Sequence, residues 1–248
     1  MARRNPIRPW AVAVWLLVWQ AAGMALGQEL LLPSPLAALR RLGELALTGP
    51  FWRAVGWSAA RILGGFLLAC LAGTALAALA SRRRWVRELL APLAAAVKAT
   101  PVASFIILAL VWLNSRQLPL FIAFLMVFPT IYLNVLEGIA QTDGKLLEIA
   151  WVFRVPLSRR LGGIYLPQVL PYFRSAASVA LGLCWKAGVA AEVIGLPAGS
   201  IGERLYTAKV YFQTADLFAW TAVVVAVSAG FERLFLALLE HLAGKAGM

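Results

Sequence analysis

Long apolar runs separated by short polar segments dominate the chain. Each run is close to the about 20 residues that an α-helix needs to cross a bilayer. The runs cover residues 10–27, 54–80, 89–113, 118–139, 172–196 and 216–239. The pattern therefore predicts an all-α, polytopic membrane protein with about six transmembrane helices.

The first apolar run follows a basic segment, residues 1–9, that carries Arg3, Arg4 and Arg8. A basic start and the small residues near 25–27 are also typical of a secretory signal peptide. The run is longer than the apolar part of such peptides, so we favour a retained helix. We expect residues 1–9 to form a cytoplasmic tail and residues 10–248 to form a single transmembrane domain.

Composition agrees with a membrane protein. Hydrophobic residues make up 62% and charged residues 14%, against about 45–50% and about 25% in soluble domains. The net charge of +12 could indicate nucleic-acid binding, but lysine and arginine cluster at the ends of apolar runs, as orientation signals do. Cys70 and Cys184 lie inside apolar runs, so the sequence predicts neither a disulfide framework nor a metal site.

The distribution of cationic residues predicts the orientation. Segments predicted to be inside hold Arg3, Arg4, Arg8, Arg82, Arg83, Arg84, Arg87, Lys145, Arg154, Arg159, Arg160 and Lys245. Segments predicted to be outside hold Arg40, Arg41, Arg116, Arg204 and Lys209, with Arg53 at a boundary. This excess predicts that both termini and the polar segment 142–167 are cytoplasmic.

The polar segment 142–167 has the pattern of a helix, a break and a second helix. Asp143 suits the N-cap of the first helix, and Val155–Pro156 ends it because a residue before proline avoids the α region. Ser158 suits the cap of the second helix, and Pro167 suits the first turn of the following span, as does Pro171. The predicted apolar face of the first helix consists of Leu146, Leu147, Ala150 and Trp151.

The same segment resembles the EAA loop of ATP-binding-cassette (ABC) importer permeases, written E-A-A-x3-G-x9-I-x-L-P. The matching positions hold Glu148, Ala150, Ile164, Leu166 and Pro167. Two positions differ, because Ile149 replaces the second residue and Arg154 replaces the glycine. The resemblance extends over about residues 30–240 and is strongest to the binding-protein-dependent permeases of the nitrate, sulfonate and taurine group.

The resemblance implies a set of partners. In that family the loop is a coupling helix seated in a cleft of a separate cytoplasmic ABC ATPase, which uses the ATP, so no cofactor is expected in this chain. It also implies two ATPase copies, a second permease copy (a homodimer), an extracytoplasmic solute-binding protein and the bacterial inner membrane. The coupling residues that the resemblance implies are Glu148, Ala150, Arg154, Pro156, Ile164, Leu166 and Pro167.

Two points in the loop stay open at this stage. The glycine of the motif permits a sharp turn, and Arg154 at that position would be strained if it were held at positive φ. Val155–Pro156 is therefore an alternative source of the break. Glu148 is expected to bond neighbouring backbone or a basic residue, either as part of the ATPase joint or as a favourable charge near a helix N-terminus.

Ionisable residues inside the apolar runs are candidates for a translocation passage. Lys98 and Lys186 lie deepest together with Glu192, and their alternative roles are mutual pairing or reaching for the interface. Lys186 and Glu192 are six residues apart and point to different helix faces. By resemblance, the helices that carry them flank the passage, and two lysines favour an anion. The predicted passage residues are Lys98, Thr100, Pro101, Lys186 and Glu192.

Other functional classes find less support. An intramembrane enzyme needs a catalytic constellation, yet the single histidine, His241, is near the C-terminus, and no Ser-His pair, metal cluster or phosphate-binding glycine loop occurs. A secondary transporter or channel needs no docking loop and commonly has an internal repeat. The sequence thus predicts a permease and not an enzyme, with an importer of another small solute, such as a vitamin precursor, as an alternative.

Overall fold

Helices form the regular structure of the chain. The computed structural model describes residues 8–28 and 30–245, and no β-strand occurs among them. The helices are α1 (Pro9–Leu26), α2 (Pro35–Ala46), α3 (Gly49–Arg82), α4 (Arg84–Ala99), α5 (Val102–Ala109), α6 (Leu118–Ala140), α7 (Gly144–Val152), α8 (Leu157–Arg160), α9 (Leu166–Gly195), α10 (Ile201–Val210) and α11 (Thr214–Lys245), with a π-helical segment (Leu161–Tyr165) before α9. The all-α prediction is confirmed. Arg3, Arg4 and most of the predicted tail lie outside the described residues.

Four helices of the described part are long and apolar enough to cross a membrane. They are Gly49–Arg82, Leu118–Ala140, Leu157–Gly195 and Thr214–His241. The helices α4 and α5 meet the same criterion only as a pair, and Trp10–Leu26 is apolar but shorter. The multi-pass character is confirmed, and the six predicted spans correspond to four full helices, one bent pair and one shorter helix.

The predicted third span, residues 89–113, is not one helix. α4 and α5 are bent by 106°, and Thr100 between them is extended, with φ −87° and ψ 134°. Pro101 causes the break, because proline has no N–H and forces the residue before it out of the α region. Pro92 lies inside α4 without ending it.

The core is centred on α6, which packs most extensively against α3 and α9. Close approach of α3 to α6 depends on small residues. A Cβ added to Gly65 would overlap the carbonyl oxygen of Leu120, and one added to Gly73 would lie 3.1 Å from Cγ2 of Ile131. Van der Waals contact between closely spaced backbones is a main source of helix association in lipid, so these glycines position α3.

A short helix, α10, lies between the last two predicted spans. Residues 197–214 contain α10, whose start carries a capping pattern at Ser200 and Glu203. Ser200 Oγ accepts a hydrogen bond from Glu203 N at 3.0 Å, and Glu203 Oε2 accepts one from Gly199 N at 2.6 Å. The Ser-x-x-Glu spacing is a sequence signal for a helix start and could have predicted α10.

Candidate functional site

The first helix of the polar segment, α7, begins at a side-chain cap. Asp143 Oδ1 accepts a hydrogen bond from Lys145 N at 2.8 Å, so the predicted N-cap is confirmed. The backbone N–H of Asp143 also donates to Gln168 Oε1 in α9, at 2.8 Å. The start of α7 is therefore tied to the membrane helix that follows it.

The end of α7 is a Schellman turn in which Arg154 occupies the left-handed position, with φ 50°. Arg154 N donates to the Trp151 carbonyl at 3.0 Å, and Val155 N donates to the Ala150 carbonyl at 2.9 Å. These two bonds satisfy carbonyls that the end of a helix leaves free. Arg154 thus takes the left-handed conformation that favours glycine, and Pro156 follows directly. The break starts at Arg154 and not at Val155–Pro156 alone, which corrects the alternative considered above.

Replacing Arg154 with glycine is expected to stabilise the chain by about 1 kcal/mol, because glycine adopts positive φ without the steric cost that an L-residue bears. The measurement is the thermal unfolding midpoint of the purified chain in detergent. Arg159→Gly is the matched control, because Arg159 lies in helix α8 and glycine there should cost about 1 kcal/mol. A lower midpoint for Arg154→Gly than for the unmodified chain would contradict the strain at this turn.

The second helix of the segment differs from its prediction in two respects. α8 begins after Pro156 without a side-chain cap, so Ser158 is not its N-cap. The chain then continues through the π-helical segment into α9, with Leu166 N donating to the Leu161 carbonyl. Pro167 lies in the first turn of α9, but Pro171 lies inside that helix. A wide turn next to prolines is expected because they supply no N–H to the regular α-helical pattern.

The corner formed by α7 and α8 exposes several large apolar side chains, which we call the docking patch. Trp151 and Phe153 are each 76% exposed. The patch consists of Leu146, Ile149, Trp151, Val152, Phe153 and Leu157. Ala150 is buried and Leu147 is half-buried. The predicted face is therefore wrong in part, because Ala150 and Leu147 face the protein whereas Leu146 and Trp151 face outward.

The charged residues of the corner are in solvent or in a shallow cavity. Glu148 is exposed, and no residue in 8–28 or 30–245 bonds or pairs with it. The chain by itself therefore gives Glu148 no such bond, because an exposed carboxylate can be satisfied by solvent, and a bond formed against the ATPase stays a prediction. A cavity of about 550 Å³ is lined by Ala150, Trp151, Val152, Arg154 and Arg160. Within the described chain, Nε of Arg160 is buried without a hydrogen-bond partner.

The other residues of the motif lie where the helices meet. Ile164 and Pro167 are half-buried, whereas Leu166 and Pro156 are exposed. Ile164 belongs to the π-helical segment and Leu166 begins α9. The motif residues therefore extend from the corner into the start of the membrane helix.

Four of the predicted passage residues lie at partly open positions. Lys98, Pro101 and Lys186 are exposed, and Thr100 is half-buried. α5, which begins directly after Pro101, packs against the turn of α9 that follows Lys186. The bend between α4 and α5 and the lysine of α9 are thus carried by helices in contact.

Glu192 has a different environment. It is fully buried, and its Oε2 accepts hydrogen bonds from Ser58 Oγ at 2.8 Å and from Gly202 N at 3.1 Å. Ser58 Oγ in turn accepts a bond from Ile201 N at 2.9 Å. The carboxylate therefore joins α3, α9 and the start of α10, away from the exposed Lys186. Sequence reasoning missed Ser58, although a lone serine in an apolar run was a usable signal.

Comparison with known proteins identifies the family. Residues 50–244 match the family described as "Binding-protein-dependent transport system inner membrane component". The chain belongs to this family. It is a transport permease of the ABC importer type, and the predicted family and function class are confirmed.

Several relatives cover nearly the whole chain. The putative aliphatic sulfonates transport permease protein SsuC of Bacillus subtilis is 28% identical over 92% of this chain and 83% of its own length. The bicarbonate transport system permease protein CmpB of Synechococcus elongatus is 26% identical over 96% and 95%. The nitrate import permease protein NrtB of Synechocystis is 27% identical over 94% and 86%. A permease of this family is a multi-pass membrane protein, as the apolar helices indicate.

Proposed function

We propose that the chain forms the membrane passage of an ABC importer for a small organic or inorganic anion in a bacterial inner membrane. The names of three similar permeases refer to sulfonates, bicarbonate and nitrate, which are all small anions or oxyanions. Exposed Lys98 and Lys186 agree with such a solute. In this assignment both termini are cytoplasmic, and a solute-binding protein delivers the anion from outside.

The docking patch supports the proposal that the ATPase binds at this corner. Apolar side chains as exposed as Trp151 and Phe153, on a polar segment between two spans, mark a protein interaction site. The ATPase cleft would cover the patch, and Glu148 and Arg154 would lie at its edge. Buried Ala150 and the break before Pro156 hold the corner in shape. Ile164, Leu166 and Pro167 carry its motion into α9.

The energy source follows from this arrangement. ATP is bound and hydrolysed in the ATPase, and this chain needs no cofactor. Two permease copies related by a twofold axis present two docking patches to two ATPase copies, since a closed symmetric dimer is the commonest assembly of identical chains.

The exposed lysines support the proposal that α4 and α9 line the passage. A lysine in an apolar helix is too costly to face lipid, so Lys98 and Lys186 face water or a second permease copy. Thr100 and Pro101 contribute the bend that opens α4 away from α5. Glu192 was predicted to line the passage; we now propose that it positions α10 at the outer end through Ser58 and Gly202.

Labelling of single cysteines should report the orientation. A cysteine at Arg83 is expected to react only from the cytoplasmic side, and one at Gln117 only from the outside, because the two positions lie at opposite ends of α6. Cys70 and Cys184 are buried and give little background. Reaction of the two positions from the opposite sides would reverse the orientation and remove the docking argument.

Removing the charge of Lys186 should impair transport. Lys186→Met is expected to lower the initial uptake rate about tenfold or more, the equivalent of about 1.4 kcal/mol, because an anion in the passage loses a cation. Uptake is measured in vesicles that contain equal amounts of complex. Lys209→Met is the matched control, since Lys209 is an exposed lysine of α10. Equal uptake by Lys186→Met and the unmodified complex would exclude the lysine from solute binding.

Reconstitution tests the proposed function directly. Vesicles containing the chain and its ATPase, with ATP inside and the binding protein outside, are given an alkanesulfonate, nitrate or bicarbonate. We expect uptake of one anion that requires both ATP and the binding protein. Uptake driven by an ion gradient without the ATPase would instead identify a secondary transporter.

A further inference from the structure

A cavity of about 850 Å³ opens among α3, α4, α6 and the π-helical segment. It lies at the end of the bundle that carries α7, because its lining includes the last residue of α3, the first turn of α4 and the end of α6. Its volume is in the range of about 300–1,000 Å³ that is typical of small-molecule sites. None of the predicted coupling or passage residues lines it except Leu166.

The cavity has both apolar and cationic residues in its lining. Leu133, Leu136 and Val169 contribute apolar walls, and Arg82 and Arg87 lie in the lining near the polar end of the helices. No acidic side chain pairs with either arginine in the part of the chain that the structure describes. By contrast, Arg84, which does not line the cavity, pairs with Glu88 at 2.8 Å. The two lining arginines are therefore available to an anion.

One buried polar group gives independent evidence for a ligand. Tyr132 lines the cavity and is only 1% exposed, and among the described residues nothing bonds to its hydroxyl. Buried polar groups in native proteins almost always have a hydrogen-bond partner, which can be a molecule other than protein. The Tyr132 hydroxyl can donate to an oxygen of a bound anion.

Glu137 is the one acidic residue in the lining, and it does not neutralise both arginines. Its Oε1 accepts a hydrogen bond from Gln141 Nε2 at 2.8 Å. With Arg82 and Arg87, the lining keeps one net positive charge. A ligand that matches both the charge and the apolar walls has an anionic head and a hydrocarbon tail.

We propose that this cavity binds an acidic phospholipid of the adjacent leaflet. The phosphate lies against Arg82 and Arg87 with one oxygen accepting from Tyr132, and acyl carbons lie against the apolar residues of the lining. Basic pockets between transmembrane helices recognise anionic lipid headgroups by this combination of charge and apolar contact. The lipid would brace the π-helical segment against α3 and α6, next to the corner that bears the docking patch.

Lipid retention tests the proposal. The full chain is reconstituted in vesicles of phosphatidylcholine with or without phosphatidylglycerol and extracted in mild detergent. Native mass spectrometry then counts the bound lipids. We expect phosphatidylglycerol to be retained by the unmodified chain, and Arg87→Gln or Arg82→Gln to lower the affinity about fivefold each, the effect of one cation near a membrane surface. Tyr132→Phe should lower it about two- to tenfold, through one lost hydrogen bond.

Matched controls separate the cavity from general attraction to the membrane. Arg83→Gln removes the same charge from an exposed residue that does not line the cavity, and Tyr206→Phe removes a hydroxyl at the other end of the bundle. Both should retain phosphatidylglycerol as the unmodified chain does. Equal losses for Arg83→Gln and Arg87→Gln, in variants that elute as single folded species, would overturn the proposal.

Competition distinguishes a lipid from a soluble anion. Inorganic phosphate lacks the hydrocarbon tail. At the same ionic strength, it should therefore displace no more phosphatidylglycerol than chloride does. Displacement by phosphate but not by chloride would show that the site selects a free oxyanion, and would overturn the assignment to a phospholipid.

Discussion

Replacing Trp151 with alanine is expected to weaken binding of the ATPase at least about 30-fold, the equivalent of about 2 kcal/mol. Trp151 is a residue of the docking patch and is 76% exposed, and aromatic residues that become buried at protein interfaces account for a large share of the binding free energy. The measurement is the dissociation constant between the purified permease and its ATPase in detergent. Folding of the permease should not change, because Trp151 contributes little to its core.

The matched control for this result is Trp112→Ala. Trp112 is 73% exposed but precedes α6, whereas Trp151 follows it, so the two tryptophans lie at opposite ends of that helix. ATPase binding should be unchanged in the control. A Trp151→Ala permease that binds its ATPase as tightly as the Trp112→Ala variant would refute the docking patch and leave the family assignment intact.

Replacing Gly65 with alanine is expected to destabilise the chain by about 1–3 kcal/mol or more, as overpacking of a close-packed core does. The new Cβ would overlap the Leu120 carbonyl oxygen and lie within 3.0 Å of Phe124 N and 2.9 Å of the Ala123 Cβ. Backbone atoms cannot move aside as a flexible side chain can, so α3 must shift away from α6. The measurements are the thermal unfolding midpoint in detergent and the yield of folded protein from membranes.

The neighbouring glycine supplies the control. A Cβ on Gly64 would lie 3.5 Å from Cδ1 of Leu120, which is ordinary van der Waals contact, so Gly64→Ala should leave the midpoint nearly unchanged. Both substitutions add one methyl group to the same turn of α3, and they differ only in what the methyl group meets. Equal midpoints for the two variants would mean that the α3–α6 contact is looser than described.

The sequence by itself predicted the all-α class, the multi-pass membrane character and the helix–break–helix pattern of the polar segment. Apolar runs of sufficient length predict spans because lipid cannot hydrogen-bond to an open backbone. The Asp143 cap and the break near Arg154 are also local, since they involve residues only a few positions apart. Pro101 is a local signal for the bend in the third predicted span, although its size of 106° was not predictable from proline alone.

Tertiary structure decided which side chains are buried. The sequence predicts Glu192 as a passage residue, because a carboxylate in an apolar run has no local partner. Its actual partner Ser58 is 134 residues away in the chain, and Gly202 belongs to a helix that was not predicted. Likewise, the exposed side of α7 depends on how Gln168 of α9 holds its first turn. Hydrophobic periodicity reports the apolar positions of a helix, but the burial of each depends on contacts between distant segments, which exist only after the chain has folded.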